Sequence, residues 1–311
     1  MTPVIFAAWL RLQGHRVVQT ESSFWVEAGP RIFQAFPYHC IIMPSEEEIR
    51  NLLVDNRSIA VRYSTPIDAN AGIISYHVTY EKRNYSLETL PKKARYDVKK
   101  GLAISSVEPL SFLRLANEGW ELRQETLVRQ GRVGAENEKW WKKLCLSAEN
   151  LIGFEAWGAL VKGKMVASLI AFSCDDYFTI LYQQSLTDFL PYSVNNALAY
   201  YVTAEVIKRP GSPRIFYGLH SLDAPPSVDA FKFRMGYSAK PVRQRVVFHP
   251  FLRPLIFPSI HTFIYKAHRL LPSSSILAKF EGILRFYLQG QQPLSMQILP
   301  EPLRGQVFLN S

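Results

Sequence analysis

The chain has 311 residues, of which 48% are hydrophobic and 20% are charged, a composition that indicates a folded protein and excludes a disordered one. The formal net charge of +10 predicts a surface that attracts phosphates, RNA or an acidic membrane face. Cys40, Cys145 and Cys174 are too scattered for a disulfide framework and indicate a reducing compartment. The first ten residues lack the basic start of a signal peptide, and no apolar run is long enough to span a bilayer. We therefore expect a cytoplasmic protein.

The pattern of the first ninety residues predicts a short region that contains both helices and strands. Apolar residues 6–10 predict an opening helix, and the Ala28-Gly29-Pro30 segment predicts the turn of a hairpin. A helix is predicted over residues 46–53, where Ser45 and Glu48 have the spacing of a capping box. Residues 59–63 and 73–80 have the β-branched and aromatic composition of strands.

Residues 91–250 contain the longest ordered pattern. A basic helix is predicted over residues 90–102, and two more helices over residues 110–130 and 140–148. Apolar runs at residues 155–161, 165–173 and 177–184 predict three strands, the first two joined by a tight turn.

An amphipathic helix is predicted to open after Leu190-Pro191-Tyr192 and to end at residues 208–211. A short strand at residues 214–219, a loop that ends in residues 231–236, and a last strand complete the zone. This order, in which several neighbouring strands are followed by one helix and then by another strand, predicts a sheet against which a cofactor can bind. The expected fold class is α/β (or α+β), with a central mixed, mostly antiparallel sheet flanked by helices.

Residues 251–311 predict a basic, helical C-terminal extension. Residues 276–288 place apolar side chains on one helical face, and Gly290 ends the helix. Two interpretations stay open for the apolar faces of this zone. They pack on the rest of the protein, which is usual for such a stripe, or they lie with their basic neighbours on an anionic membrane.

Three segments resemble motifs of one acyltransferase superfamily. Residues 6–10 resemble its opening helix, residues 90–102 its basic helix, and Phe231-Lys232 with Gly236-Tyr237 its closing motif F/Y-K-x-x-F/M-G. With the order of elements over residues 1–250, they resemble the GNAT superfamily, most closely the branch of the FemAB-type aminoacyl transferases and the BioF2-like acetyltransferase domains. The resemblance implies a degenerate GNAT-like region over residues 1–90 and an acyltransferase domain over residues 91–250.

The resemblance also implies the chemistry. An acyl or aminoacyl group would move from a thioester or ester donor, acyl-CoA or another activated acyl compound, to an amine by direct attack and without a metal. The expected partners are then a small-molecule donor and an amine acceptor. Peripheral contact of the protein with the inner face of an anionic membrane stays open as a further expectation. Nucleic acid is not expected, because basic and aromatic residues do not interleave around any acidic cluster. The alternative is a non-catalytic protein of the same fold that docks on an anionic membrane or on RNA.

Lys232 is the first candidate for a catalytic role. The resemblance places the lysine of the closing motif near the reacting acyl group, where an ammonium polarises the carbonyl or stabilises the oxyanion. The alternative is a solvated lysine between two buried aromatic residues. His220, or Asp223 or Asp229 close by, is the candidate for accepting the proton of the amine, and Asp229 is also a candidate for substrate binding. A loop histidine without a catalytic role is the alternative for His220.

Two further groups are candidate ligand contacts. Tyr182 and Gln183 lie on the predicted strand 177–184, and because strand residues alternate between faces, only one of them is expected to contact the acceptor or the thioester. Ser193, Asn195 and Asn196 lie at the start of the following helix, where free N–H groups favour the phosphates of a donor. The glycine pattern of the superfamily is absent from this turn. The alternative is that Ser193 only caps the helix and that the asparagines face water.

Arg95 and Lys99 are neighbours on one face of the basic helix, four residues apart. The resemblance implies a phosphate-bearing donor or acceptor for such a face, and a solvated charged helix is the alternative. The seven histidines show no metal-ligand spacing, so we predict no metal site.

Overall fold

The computed structural model describes residues 2–132, 134, 136–211, 213–220, 226–270 and 275–304. The chain forms two compact units, and each takes segments from distant parts of the sequence. Unit 1 consists of residues 1–13, 78–218 and 224–238, and unit 2 of residues 14–77, 219–223 and 239–311. This division differs from the three consecutive zones of the sequence analysis. The reason is that the last strand of the middle zone pairs with a strand from the first zone.

The described residues form eleven strands and ten α-helices. The strands are β1 (Val17–Gln19), β2 (Phe24–Gly29), β3 (Ile32–Phe36), β4 (Ala60–Thr65), β5 (Ile73–Tyr80), β6 (Ser106–Leu110), β7 (Phe154–Val161), β8 (Lys164–Cys174), β9 (Tyr177–Ser185), β10 (Arg214–Leu219) and β11 (Ser238–Phe248). The helices are α1 (Pro3–Leu12), α2 (Glu46–Asp55), α3 (Lys92–Ile104), α4 (Phe112–Glu118), α5 (Trp120–Arg129), α6 (Glu138–Leu146), α7 (Val194–Ile207), α8 (Pro226–Arg234), α9 (Pro258–Leu270) and α10 (Ser275–Gly290).

Unit 1 contains a sheet in the order β10-β9-β8-β7-β6. β10 runs parallel to β9, and the other neighbouring pairs are antiparallel. Helix α5 packs against β8 and β9, and α7 packs against β7, β8 and β9. The mixed, mostly antiparallel sheet flanked by helices is confirmed in this unit.

The predicted opening helix is confirmed as α1, and its apolar face belongs to the core of unit 1. The buried residues Phe6 and Trp9 lie one turn apart on that face. The Phe6 ring stacks on Phe172 of β8 with 5.2 Å between the ring centres. The Trp9 indole nitrogen donates a hydrogen bond to the Leu144 carbonyl oxygen at 3.1 Å. The first contact fixes α1 to the sheet that carries the candidate site, and the second fixes it to α6.

Helices α3 and α7 approach each other closely at Gly101. A Cβ atom at this position would lie 2.5 Å from the Ser193 carbonyl oxygen and 2.8 Å from the Ala197 Cβ atom. Glycine is therefore required by the distance between the two helices. The predicted basic helix is confirmed as α3, and its contact with α7 is made by small residues rather than by cations.

Unit 2 contains a sheet in the order β1-β2-β3-β4-β11, in which β3 and β4 are parallel and the other pairs are antiparallel. The hairpin predicted around Gly29 is confirmed by the pairing of β2 with β3. One core cluster joins Trp25, Phe33 and Leu53. That the first ninety residues are a degenerate GNAT-like copy stays a prediction.

The helix after Ser45 is confirmed as α2, but its predicted capping box is only half formed. The Ser45 hydroxyl accepts a hydrogen bond from the Glu48 amide nitrogen at 3.0 Å. The Glu48 carboxylate instead accepts from the Ser22 amide nitrogen at 3.0 Å and from the Ser22 hydroxyl at 2.6 Å. A loop from elsewhere in unit 2 thus replaces the reciprocal bond of the box.

Helix α10 buries its predicted apolar stripe inside unit 2. Ile283, Leu284 and Phe286 belong to a cluster with Ile73 and Phe248. For this helix the packed interpretation of the C-terminal zone is therefore the one found. None of the helices in the described part of the chain has the length and apolarity needed to cross a bilayer.

Two predicted elements differ from the structure. The single helix expected over residues 110–130 is divided at Gly119, which ends α4 and begins α5. The loop expected to end in residues 231–236 is helical as far as Arg234, the last residue of α8. Helix α8 has only nine residues, which is too short for a helical period of apolar residues to be recognised in the sequence. The helix places Asp229 and Lys232 one turn apart.

We predict that Gly101→Ala destabilises the protein. Alanine favours a helix over glycine by about 1 kcal/mol, but overpacking at a close helix contact costs about 1 to 3 kcal/mol. Because the nearest clashing atom is a backbone oxygen, it cannot turn away as a side chain can. A contact of 2.5 Å with a backbone atom places the cost at the upper end of that range, so we expect a net loss of about 2 kcal/mol in urea unfolding at an unchanged m-value. Lys100→Ala, at an exposed position of the same helix, is the control and should stay within about 0.5 kcal/mol of wild type. Equal stability of the two variants would contradict the close contact.

Candidate functional site

Strands β9 and β10 separate after a short paired stretch. Their parallel pairing runs from Arg214 opposite Tyr177 to Phe216 opposite Thr179. On the other side of β9, the register with β8 shifts, so that Ala171 pairs with Ile180 and Ile170 with Tyr182. Leu181 is thus an extra residue without a counterpart on β8. A bulge of this kind bends a strand and re-aims its side chains.

A cleft of about 580 Å³ lies at this point, within unit 1. Residues 180–185 of β9 line it, together with Tyr217 of β10, Lys232 of α8 and Asn195 at the start of α7. Helix α5 and the residues after it close another side. Arg123, Arg129, Arg132 and Lys232 are the cations among the described lining residues, and none of those residues is acidic. Three of these cations pair with carboxylates just outside the lining, Arg123 with Glu136, Arg129 with Glu125 and Lys232 with Asp229, so the cleft presents positioned N–H donors rather than an unbalanced positive charge.

Lys232 is held in the wall of this cleft by neighbours from two elements. Its Nζ atom lies 2.8 Å from the Asp229 Oδ1 atom one turn earlier on α8, and the two side chains are 11% and 14% exposed. The Nζ atom also lies 5.4 Å from the centre of the Tyr217 ring. At Gly218, where φ is +126°, an ideal Cβ atom would lie 3.5 Å from Nζ, so the ammonium comes close to the backbone of β10. Lys232 is therefore not a solvated surface lysine.

A chain of hydrogen bonds connects β10 with α5 along the cleft. The Tyr217 hydroxyl donates to the Gln183 Oε1 atom, and the Gln183 Nε2 atom donates to the Asn195 carbonyl oxygen at 3.2 Å. The Asn195 Nδ2 atom donates to the Ser185 hydroxyl at 2.9 Å. Arg129 donates to the Ser185 carbonyl oxygen at 2.8 Å. Burial raises the pKa of Tyr217 well above its usual value, so its hydroxyl stays protonated and acts as the donor.

Tyr182 faces α5 instead. The Arg123 guanidinium lies 4.9 Å from the centre of the Tyr182 ring, and the Arg123 Nε atom donates to the Glu136 carboxylate at 2.7 Å. Burial raises the pKa of Tyr182 to about 12, so the phenol is neutral at physiological pH and can donate a hydrogen bond.

Tyr182 and Gln183 contact different elements, as strand alternation requires, but both line the cleft. This differs from the expectation that only one of the two residues could lie beside a ligand. The physical reason is that the cleft opens where β9 has parted from β10.

His220 does not line this cleft. It belongs to unit 2, where its ring stacks on Tyr76 with 4.6 Å between ring centres and its Nδ1 atom lies 3.3 Å from the Ser75 hydroxyl. Asp223, the second candidate of that segment, lies outside the described residues. Asp229 is the remaining one, and it is the carboxylate paired with Lys232.

Only one of the three residues predicted at the start of α7 lines the cleft, namely Asn195. The Asn196 amide nitrogen instead lies 3.3 Å from the Met235 sulfur. Ser193 precedes the helix with φ of +63°, and its side chain makes no capping hydrogen bond. Ser193 is nevertheless the N-cap residue of α7, since its carbonyl oxygen accepts from the Ala197 amide nitrogen at 3.1 Å.

Arg95 and Lys99 do not line the cleft either. Arg95 is half-buried and donates to the Leu90 carbonyl oxygen at 3.3 Å, whereas Lys99 is exposed. The two side chains are close in sequence but differ in environment, because the helix buries only part of the face they share.

Sequence reasoning missed the arginines of α5, and Ser185 and Tyr217 with them. A signal for Arg123 was present, because Arg123 and Thr126 are buried beside Leu122 and Leu127 on the apolar side of that helix. Polar residues on an apolar helical face usually have a buried partner. Tyr217 gave no such signal, since an aromatic residue in a short strand is equally typical of a core.

The fold is similar to those of several solved structures. FemX superposes with a TM-score of 0.53 at 10% sequence identity, over 80% of this chain and 92% of FemX. The C-terminal domain of a protein from Agrobacterium fabrum named for lysylphosphatidylglycerol synthetase gives a TM-score of 0.51 at 13% identity, over 78% of this chain and 87% of the domain. A protein of unknown function from Bacteroides thetaiotaomicron gives 0.51 at 10% identity, over 77% and 87% of the two chains.

These similarities confirm, at the level of the fold, the FemAB-like resemblance that the sequence motifs indicated. No protein-family model matches the sequence. No curated protein matches it either. Among the residues that the structure describes, no three histidine, cysteine, aspartate or glutamate side chains are grouped closely enough to hold a metal ion.

We predict that Tyr217→Phe destabilises unit 1 by about 1 kcal/mol, because it removes the hydrogen bond that the buried Tyr217 hydroxyl donates to the half-buried Gln183 oxygen. Tyr192→Phe removes the same hydroxyl from an exposed ring and is the matched control. Urea unfolding followed by tryptophan fluorescence measures both. If the two variants are equally stable, the hydrogen-bond chain is not formed in solution.

Proposed function

We propose that unit 1 is an acyltransferase that moves an acyl or aminoacyl group from a thioester or ester donor to an amine. The observation that supports this most directly is a desolvated ammonium in the wall of a cleft at the point where two parallel strands part. The names of the structural neighbours agree with the proposal, since lysylphosphatidylglycerol synthetase is a name that describes a lysyl conjugate.

The reaction needs a donor carbonyl that becomes more electrophilic. An ammonium beside that carbonyl stabilises the negative charge that forms on its oxygen as the amine adds, and it does so most strongly away from water. Lys232 meets this requirement with a side chain that is 11% exposed. Its ion pair with Asp229, 2.8 Å between Nζ and Oδ1, holds the ammonium in position at the cleft.

The attacking amine must also lose a proton. Asp229 is the carboxylate next to Lys232, and we assign to it the role that the sequence analysis gave first to His220. In this scheme the amine nitrogen bonds to the acyl carbon, the bond from that carbon to the thiolate or alkoxide breaks, and the amine proton passes through Asp229 to the leaving group. No bond between protein and acyl group is required.

The arginines explain which donor the cleft suits. Arg123, Arg129 and Arg132 lie on the α5 side of the cleft, and Asn195 lies at the start of α7. Arg123 is ion-paired with Glu136 and Arg129 with Glu125, so their charges are largely balanced, and what they would offer the phosphates of acyl-CoA or of another phosphate-bearing donor is N–H groups held in place. Tyr182 and Gln183 are then the contacts for the acyl group or the acceptor.

We predict that Lys232→Met lowers acyl transfer by about 100-fold to 1,000-fold, which is typical for the loss of one group that stabilises an oxyanion. The assay incubates purified protein with a panel of acyl-CoA thioesters and primary amines and measures the release of free thiol. Arg234→Ala changes an exposed cation of the same helix and should keep wild-type turnover.

Asp229→Asn separates the two roles within the pair. Asp229→Asn removes the group that accepts the proton, so the rate of acyl transfer by this variant should rise with pH as the substrate amine loses its own proton to water. Lys232→Met keeps Asp229, so its rate should be lower at every pH but should have the wild-type pH dependence. Full activity of Lys232→Met would remove this lysine from the mechanism. If no thioester or ester in the panel stabilises the protein in a thermal-shift screen, while RNA or anionic vesicles do, the non-catalytic alternative is correct.

We predict that Arg132→Glu weakens donor binding by about tenfold or more, because it reverses a charge at the cleft. Arg11→Glu makes the same change of net charge at an exposed position of α1 and should leave binding unchanged. Titration calorimetry with the best thioester, at low and at physiological salt, measures both. Equal affinities of the two variants would show that the arginines do not act on the donor.

A further inference from the structure

Helix α9 and the segment before it carry a second apolar surface that the fold of unit 2 does not use. Ile256, Ile260 and Ile264 pack inward against the cluster of α10, β4 and β11 residues. The outward positions are nevertheless apolar as well. Phe263 and Leu270 of α9 are 71% and 81% exposed, and Phe251 before the helix is 84% exposed. We refer to the outward side chains of residues 251–270 as the α9 surface.

The charge around this surface has one sign. Arg253, Lys266 and Arg269 are exposed within the same twenty residues. The sequence contains no acidic residue between Asp229 and Glu281. Glu281 itself is buried and binds His261 at 3.0 Å and Arg285 at 3.2 Å, so its charge is neutralised inside unit 2.

On α9, Phe263, Lys266 and Leu270 follow one another at intervals of three and four residues and therefore share a stripe on the solvent side. Bulky apolar groups that alternate with cations on the exposed stripe of a helix have the pattern of an interfacial helix, which buries the apolar groups among acyl chains and leaves its cations at the headgroups.

We propose that the α9 surface docks on an anionic lipid bilayer. The inward face of the helix is already buried against unit 2, so only the outward face lacks a partner. The cations that flank the aliphatic and aromatic side chains of the outward face complement negatively charged headgroups. A second copy of the chain is a poor partner, because two surfaces with the same positive charge repel each other. RNA suits this surface less well than a bilayer does, because the exposed aliphatic side chains of Leu255 and Leu270 would find no apolar partner on it, although the cations and phenyl rings could bind its phosphates and bases. The proposal does not depend on the proposed acyltransferase activity.

The test is sedimentation of the full chain with vesicles of phosphatidylcholine alone and with vesicles in which half of that lipid is replaced by phosphatidylglycerol. We expect binding to the anionic vesicles that weakens as salt is added. Phe263→Ala with Leu270→Ala should lower the partition coefficient by about tenfold or more, because two large apolar groups no longer insert. Lys266→Gln with Arg269→Gln should lower it by about fivefold for each residue.

Matched controls change similar residues elsewhere. Ile152→Ala removes a side chain that is 74% exposed in unit 1, and Lys139→Gln removes an exposed cation there. Both controls should bind vesicles as wild type does, and all the variants should keep the wild-type unfolding midpoint because they alter exposed side chains. Equal binding to neutral and anionic vesicles, equal loss in the controls, or no binding to vesicles would overturn the proposal. The proposal would also be overturned if the changes at Phe263 and Leu270 abolished dimerisation, or binding to single-stranded RNA, while vesicle binding persisted.

Discussion

The separation of β9 from β10 is the constraint on which the candidate site depends. Parallel strands normally satisfy each other's backbone groups, and ending the ladder after Phe216 leaves polar groups that need other partners. Helix α5 supplies part of that compensation at the end of β9, where Arg129 donates to the Ser185 carbonyl oxygen and the Ser185 amide donates to the Thr126 hydroxyl. Side-chain hydrogen bonds from Tyr217 through Gln183 and Asn195 to the Ser185 hydroxyl link the two strands to α7. These side-chain bonds fix the orientation of the Gln183 amide. A cleft opened in this way stays rigid, because the groups that line it are bonded to α5, α7 and β10.

The second requirement is a cation that remains charged at low exposure. Removing an ammonium from water is costly unless a partner of opposite charge compensates, and a carboxylate one turn away on the same helix provides the partner. The Tyr217 ring adds a favourable face at 5.4 Å. Chemistry at a carbonyl benefits from such an arrangement, since the charge is already in place and little reorganisation is needed when the oxyanion forms.

Positive charge serves different purposes in the two units. In unit 1, Arg123 and Arg129 are ion-paired with Glu136 and Glu125 beside the cleft, so their N–H groups are held in place while their charges are largely balanced. In unit 2, the cations of α9 are exposed and are accompanied by apolar side chains. Because the segment around α9 contains no acidic residue, its cations contribute more fully to the net charge of +10 than the paired arginines of unit 1 do.

The sequence by itself determined the types and positions of most elements, because apolar periodicity and turn residues act locally: α1, α2, α3, the meander of β7, β8 and β9, and α7 all follow from it. It also selected Lys232, Tyr182, Gln183 and Asn195, which the tertiary structure brings to one cleft. It could not separate Lys232 from a solvated lysine or connect Arg123 and Arg129 to them, since these residues lie far apart in the chain. Nor could it divide the chain, because β11 joins β4 across 170 residues or more, and strand pairing at that range leaves no local trace. Only the tertiary structure decided that His220 belongs to unit 2 and that Asp229 is the partner of Lys232.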